Sequence, residues 1–155
     1  MIEYAKQRKD IQRMEIALGE NFSLKVGNAE QLPLADQSVD ILTISFGYRN
    51  VQDRVKALSE FYRVLKPGGR LLILEFFEPR KTPVTGLFNF YMNSVLPKIG
   101  GMLSKKEAYA YLTNSLSTMP TTQVLKGQME DVGFQNFTEK SWLLGSTRLV
   151  TVDKV

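Results

Sequence analysis

A chain of 155 residues, 43% hydrophobic and 23% charged, is one domain by length, with apolar content that excludes a disordered ensemble. The absence of Cys and His removes disulfides, a thiolate nucleophile, soft metal ligands and the commonest general base, which excludes His-based triad hydrolases, cysteine proteases and zinc enzymes. The net charge of +4 comes from dispersed pairs such as Arg8-Lys9, Arg80-Lys81 and Lys105-Lys106, so it reads as solvated surface and not as a nucleic-acid footprint.

No apolar run approaches the ~20 residues that span a bilayer, and "MIEYAKQRKD" has no signal-peptide core, so the expected compartment is cytoplasmic. Residues 1 to 18 pattern as a helix on Ile2, Ala5, Ile11, Met14 and Leu18, with Gly19 as its stop. "NFSLKVGNA" reads as a short alternating strand ending at Gly27. "VDILTISF", residues 39 to 46, is apolar on both faces, as a strand inside a covered parallel sheet should be.

Val51, Val55, Leu58, Phe61, Tyr62 and Leu65 then recur at helical spacing, with Asn50 or Asp53 to start the helix and "KPGG" to end it. "RLLILEFF" is a second buried strand, and strand, helix and strand within about 35 residues make a βαβ unit in a parallel sheet. Residues 82 to 116 change to helices joined by Pro97 and Gly100-Gly101. "TTQVLKGQMEDVGF" is a further helix, begun by Thr121 or Thr122 and stopped by Gly133, and two strands around Gly145-Ser146 close the chain as a hairpin.

In an open α/β sheet, ligands sit at the carboxyl ends of the strands, and two polar turns occupy that edge here: "GNAE" and "SFGYRN". Gly27 permits close backbone approach and Asn28 offers a donor and an acceptor suited to an adenine edge, although Gly-Asn also serves simply as a turn. Arg49 and Asn50 lie just before a helix, where a guanidinium has no evident structural task beside the positive helix end. A functional role or a surface ion pair would each explain it.

The run "GNAEQLPLADQSVDILTISFGYRNVQDRVKALSEFYRVLKPGGRLLILEFFEP", with "YLTNSL" and "DVGF" after it, resembles the quinone-biosynthesis C-methyltransferases that act on ubiquinone and menaquinone precursors. The resemblance covers essentially the whole chain. "FGYRN" and "RVLKPGGRLLILEF" are specific, whereas "LKPGG" alone indicates only a class I methyltransferase. It implies a Rossmann-like α/β sheet, S-adenosylmethionine (SAM) as cofactor, and methyl transfer to a ring carbon of a polyprenylated benzoquinol or naphthoquinol.

By position, it implies that Asn28 and Ala29 meet the adenine, that Ser45 lies along the cofactor pocket, and that Arg49 and Asn50 are catalytic residues facing the ring. Arg49 would stabilise the quinolate and orient a water. Tyr91, Tyr109 and Tyr111 would help line the quinol pocket within a helical cap over residues 82 to 116, although tyrosines at such spacings also serve as packing residues. Phe77 stands where the family pattern carries Ser.

The family's first two strands, its Gly-rich loop and the acidic residue for the SAM ribose correspond to nothing here, since no two glycines are separated by one residue. The chain therefore reads as a partial domain, the later two-thirds of such an enzyme, either shortened or completed by another chain. The family's strand order, 3-2-1-4-5-7-6, would leave residues 39 to 46 at an open edge. That predicts a homo-oligomer covering the edge or exchanging residues 1 to 28, or a sheet in which "FSLKV" slides over to pair with "VDILTISF". The prenylated substrate implies peripheral contact with a membrane face. A non-catalytic assembly module and a methyltransferase for another small acceptor are the rival readings.

Overall fold

A computed structural model describes residues 2–78, Gly86 and 119–155. Its sheet has four strands, β1 (Val39–Ser45), β2 (Leu65–Phe76), β3 (Phe134–Trp142) and β4 (Thr147–Lys154), in the order β1-β2-β4-β3. β1 and β2 are parallel, and the β2–β4 and β4–β3 pairs are antiparallel. Four described helices accompany it: α1 (Ile2–Lys6), α2 (Lys9–Leu18), α3 (Arg54–Val64) and α4 (Thr122–Val132).

The expected βαβ unit is β1, α3 and β2. Of the two candidate caps Asp53 serves α3, its carboxylate accepting from the Lys56 N–H. Ala57, Leu58, Phe61 and Val64 form the buried face of α3, at the spacing that one helical stripe requires. α4 starts at Thr121, whose hydroxyl accepts from the Val124 N–H, and stops at Gly133, whose φ of 113° suits glycine.

Leu71, Ile73 and Phe77 of the β2 segment, with Val150 and Val152 of β4, meet Leu58, Phe61, Leu125 and Met129 in one core. Strand periodicity of two also puts Glu75 on that inward face. The carboxyl ends of β1 and β2 lie side by side, since Ser45 is in register with Leu74.

Four expectations from the sequence change. The first helix is broken at Gln7-Arg8, where Arg8 is extended and Asp10 accepts two hydrogen bonds from its guanidinium, at 3.0 and 2.7 Å. Neither part of it buries a side chain among those described.

Residues 22–27 form no strand and do not slide onto β1. A strand exists only with a ladder partner, and the chain just beyond them is held to α3 instead, by the Leu32 N–H on Glu60 at 2.7 Å and the Asp53 N–H on Glu30 at 3.1 Å.

"KPGG" does not terminate α3 as a loop, because the strand begins at Leu65 directly after Val64. Residues 66–69 instead bulge from β2, so that Val39 pairs with Leu65 while Ile41 already pairs with Arg70. A Cβ on Gly69 would lie 2.8 Å from the Lys66 carbonyl oxygen and 3.0 Å from that of Asp40, so the bulge needs glycine there.

β1, finally, is an edge strand among the described residues, not the covered one that its two apolar faces suggest but the open one that the family's strand order leaves: Ile41 is 63% exposed. Apart from Gly86, the proposed cap over residues 82–116, with Tyr91, Tyr109 and Tyr111, lies outside the described residues.

Candidate functional site

The polypeptide leaves β1 through Phe46, which holds a φ of 53° that a bulky side chain rarely adopts. Two contacts keep it there: its N–H donates to the Leu74 carbonyl at 2.9 Å, and its own carbonyl accepts from Arg49 Nη1 at 2.8 Å. A short 3-10 turn, Tyr48–Asn50, follows and leads to the Asp53 cap of α3. Ser45, Arg49 and Asn50 therefore belong to one connection at the carboxyl edge of the parallel pair.

Arg49 does have a structural task, the ion pair that the sequence left open, but its partner is a buried carboxylate and not a surface one. Its Nη1 donates to Glu75 Oε1 at 2.5 Å and its main-chain N–H donates to Glu75 Oε2 at 3.2 Å. Glu75 also accepts from the Phe76 N–H at 2.8 Å, and its side chain has no exposed surface. A buried carboxylate needs such partners, because unpaired charge in the interior costs several kcal/mol, of order 3–5 when one partner is deleted. The ring of Phe76 lies 5.9 Å from the Arg49 guanidinium carbon and stacks at a tilt on Phe46, 4.8 Å between centroids.

Tyr48 points the other way. It is fully buried in the core, its hydroxyl lacks a hydrogen-bond partner, and burial pushes its pKa up against the opposing charge of Arg54.

The second predicted turn is a tight one closed by the Gln31 N–H on the Asn28 carbonyl at 3.0 Å. The Asn28 side-chain oxygen accepts from the Glu30 N–H at 3.0 Å, as Asx turns do. Asn28 is exposed and Ala29 is half-buried against the core. Glu30 accepts from the Asp53 N–H, so this turn is tied to the start of α3, the helix that the Arg49 turn also enters. Gly27 approaches the ring of Pro33, which a Cβ would meet at 3.2 Å.

Sequence reasoning overlooked Glu75. The signal was present: a carboxylate falls on the apolar face of an alternating strand between Ile73 and Phe77, where it demands a cationic partner. A further concavity of about 650 Å³ lies beside Phe77, Met119, Thr122 and Arg148. The Arg148 guanidinium there is engaged by the Gly145 carbonyl at 2.7 Å, the Glu78 carbonyl at 3.0 Å and the Thr122 hydroxyl, and it lies 5.1 Å from the centre of the Phe77 ring. Those contacts tie the hairpin to α4. Among the described residues no cluster of carboxylates could hold a metal ion, and no helix is long and apolar enough to cross a membrane.

Comparison with known proteins decides the family. Residues 1–150 match the profile of the ubiE/COQ5 methyltransferase family. This chain belongs to the ubiE/COQ5 methyltransferase family. A member from Geotalea daltonii, named ubiquinone/menaquinone biosynthesis C-methyltransferase UbiE, is 40% identical over 156 residues, which span 99% of this chain and 66% of that protein. A Klebsiella pneumoniae protein of the same name is 50% identical over 110 residues, 70% of this chain and 44% of its own. The chain thus spans from under half to about two-thirds of the length of these ubiE/COQ5 relatives.

Solved structures agree on the fold. A SAM-dependent methyltransferase from Thermotoga maritima superposes with a TM-score of 0.58 at 20% identity, covering 93% of this chain and 70% of its own. Phosphoethanolamine N-methyltransferase 2 from Haemonchus contortus, in complex with SAM, gives 0.63 at 12% identity, covering 93% and 40%. The described sheet is accordingly part of a Rossmann-like class I methyltransferase fold, and β1-β2-β4-β3 reproduces the 4-5-7-6 portion of the order that the resemblance implied.

Proposed function

We propose that this chain takes part in SAM-dependent C-methylation of a polyprenylated quinol, a demethylmenaquinol or the benzoquinol of the ubiquinol route. The observation that carries the reading is the Phe46–Asn50 connection at the carboxyl edge, with Arg49 anchored on Glu75 of the neighbouring parallel strand, in a ubiE/COQ5 chain. That edge is where open α/β sheets receive ligands.

The residues present fit the adenine side of the cofactor: Asn28 and Ser45 are exposed polar groups, and Ala29 offers a half-buried apolar contact. When bound, SAM supplies an electrophilic methyl group. Arg49 and Asn50 face the acceptor ring in this reading. An ionised quinol oxygen enriches the adjacent ring carbon, and a guanidinium, which keeps its proton at any ordinary pH, stabilises that oxygen through fixed N–H donors. The same donors orient a water toward the ring proton that must leave, because Arg49 cannot abstract it unaided. Tyr91, Tyr109 and Tyr111 would line the quinol pocket, and the prenyl tail brings the protein to a membrane face from the cytoplasmic side.

A specific observation also favours an assembly role without turnover. β1 pairs on one side only among the described residues, and its exposed Ile41 gives a second chain something to cover.

The test is transfer of a labelled methyl group from SAM to a demethylated prenyl quinol. It is run on the 155-residue chain and on the same chain fused to the remaining portion of the Geotalea daltonii relative. Without a G-x-G loop the chain alone should bind SAM more weakly than ~1 mM, less than about 4 kcal/mol, while the fusion should bind and methylate. A fusion that binds SAM yet leaves the quinol unmethylated would support the assembly reading.

A further inference from the structure

Glu75 is the one fully buried carboxylate among the described residues, and the quinol reading uses it as the anchor of Arg49 without giving it a part in the reaction. Its position is nevertheless specific. It ends the inward face of β2 at the carboxyl edge, and both of its oxygens point into the Phe46–Asn50 connection. One oxygen holds Arg49 Nη1 and the Phe76 N–H, and the other holds the Arg49 N–H. The same Nη1 reaches the carbonyl of Phe46, the residue with the strained backbone. Glu75 thus touches both ends of Arg49, main chain and guanidinium, and through the guanidinium it reaches Phe46.

We infer that Glu75 is the positioning residue of the methyl-transfer site, a role that rests on the reading of Arg49 given above. A guanidinium can stabilise developing charge only if its planar donor set is aimed before the reaction, since reorientation during the step would consume the gain. A lone arginine on a turn rotates about several bonds. A buried carboxylate on a rigid strand removes that freedom, because the strand is paired on both sides, to β1 and to β4. Its acceptor geometry also selects which nitrogen is held, leaving the plane of the guanidinium fixed relative to the carboxyl edge. Glu75 itself does not contact the reacting atoms. It acts through Arg49, which is why its loss should separate turnover from cofactor binding.

The experiment reads the orientation of Arg49 directly and needs no turnover. Nitrogen-15 spectra of arginine side chains distinguish a guanidinium whose two terminal nitrogens are inequivalent and slow to exchange from one that rotates freely, with Arg49→Lys giving the assignment. In the unsubstituted 155-residue chain Arg49 should show separate, slowly exchanging Nη1 and Nη2 signals. Glu75→Gln, isosteric but uncharged, should merge them or speed their exchange at least about tenfold while the amide spectrum of β2 and β4 persists. If Glu75→Gln does not fold, Glu75→Asp keeps the charge one methylene further back and should weaken the inequivalence in the same sense.

In the methylating fusion, Glu75→Gln should lower kcat about tenfold or more and leave KM for SAM within about twofold. An Arg49 signal unchanged by these substitutions would overturn the inference, as would equal losses in kcat and in SAM affinity. No methylation by the unsubstituted fusion would sink the quinol reading instead, and the spectra would still decide whether Glu75 orients Arg49.

Discussion

Arg49 Nη1 lies 2.5 Å from Glu75 Oε1, joining the turn after β1 to the carboxyl end of β2 through a carboxylate that has no exposed surface. Replacing Arg49 with Leu leaves that charge buried without its cation. The expected loss is about 3–5 kcal/mol of unfolding free energy, measured by urea titration. The double substitution Arg49→Leu/Glu75→Leu should be less destabilised than the single one, since it removes the unpaired charge as well. Equal midpoints for wild type and Arg49→Leu would mean that Glu75 does not depend on Arg49 for its burial.

Tyr48→Phe removes a hydroxyl that is buried without a partner, so it should be neutral or stabilising by up to about 1 kcal/mol. It should also change the alkaline limb of the stability profile. Burial raises the folded pKa of Tyr48, so the neutral phenol is favoured in the native state. Its contribution is fully present below the unfolded value of about 10 and is lost as pH rises above that. Thermal midpoints of Tyr48→Phe should therefore fall less than those of wild type between about pH 9 and 11, and parallel curves would contradict the assignment.

The acid limb has its own residues. A hydrogen bond from Arg70 across β2 and β4 holds the Asp153 carboxyl below its ordinary value against the cost of burial, with Asn136 helping. Arg63 does the same for Glu60, which also anchors Leu32. Both depressed carboxylates stabilise the fold fully above their unfolded values of about 4, and that stability is lost as pH falls through the lower folded values. Asp153→Asn should lower stability near neutral pH and flatten the decline below about pH 4, read by denaturant midpoints at each pH.

Much of this architecture was legible because it is local. The period of α3, the caps at Asp53, Thr121 and Gly133, and the alternation of β4 all depend on residues within a turn or two of each other. The segment 22–27 was misread for the opposite reason: alternation in "FSLKV" states a propensity, but a strand requires a ladder partner, which propensity does not supply. The bulge at residues 66–69 was hidden because Gly-Gly after a helix also signals a stop. At the site, the sequence pointed to Arg49 and Asn50 by their place before α3, yet it concealed the tie to Glu75, 26 residues away. Lys154 was concealed in the same way: its Nζ reaches the carbonyls of Tyr62 at 2.7 Å and Leu65 at 2.8 Å from the far end of the chain.

The edge of β1 carries a further expectation. Its outer N–H and C=O groups and the exposed Ile41 form a template for a second strand. The 155-residue chain should self-associate, most simply as a two-fold dimer through this edge or by exchange of residues 1 to 28. Light scattering after gel filtration would show a dimer mass at micromolar concentration, reduced toward monomer by Ile41→Lys. A strict monomer at high micromolar concentration would rule the dimer out.

In the quinol reading, Arg49 serves the methyl-transfer step and not the grip on the cofactor. Turnover and SAM affinity of Arg49→Lys, determined side by side in the methylating fusion, separate the two roles. A point charge cannot replace the planar fork, so turnover should fall at least about tenfold while the SAM dissociation constant stays within about twofold. Equal losses in both would place Arg49 at the cofactor and contradict the account.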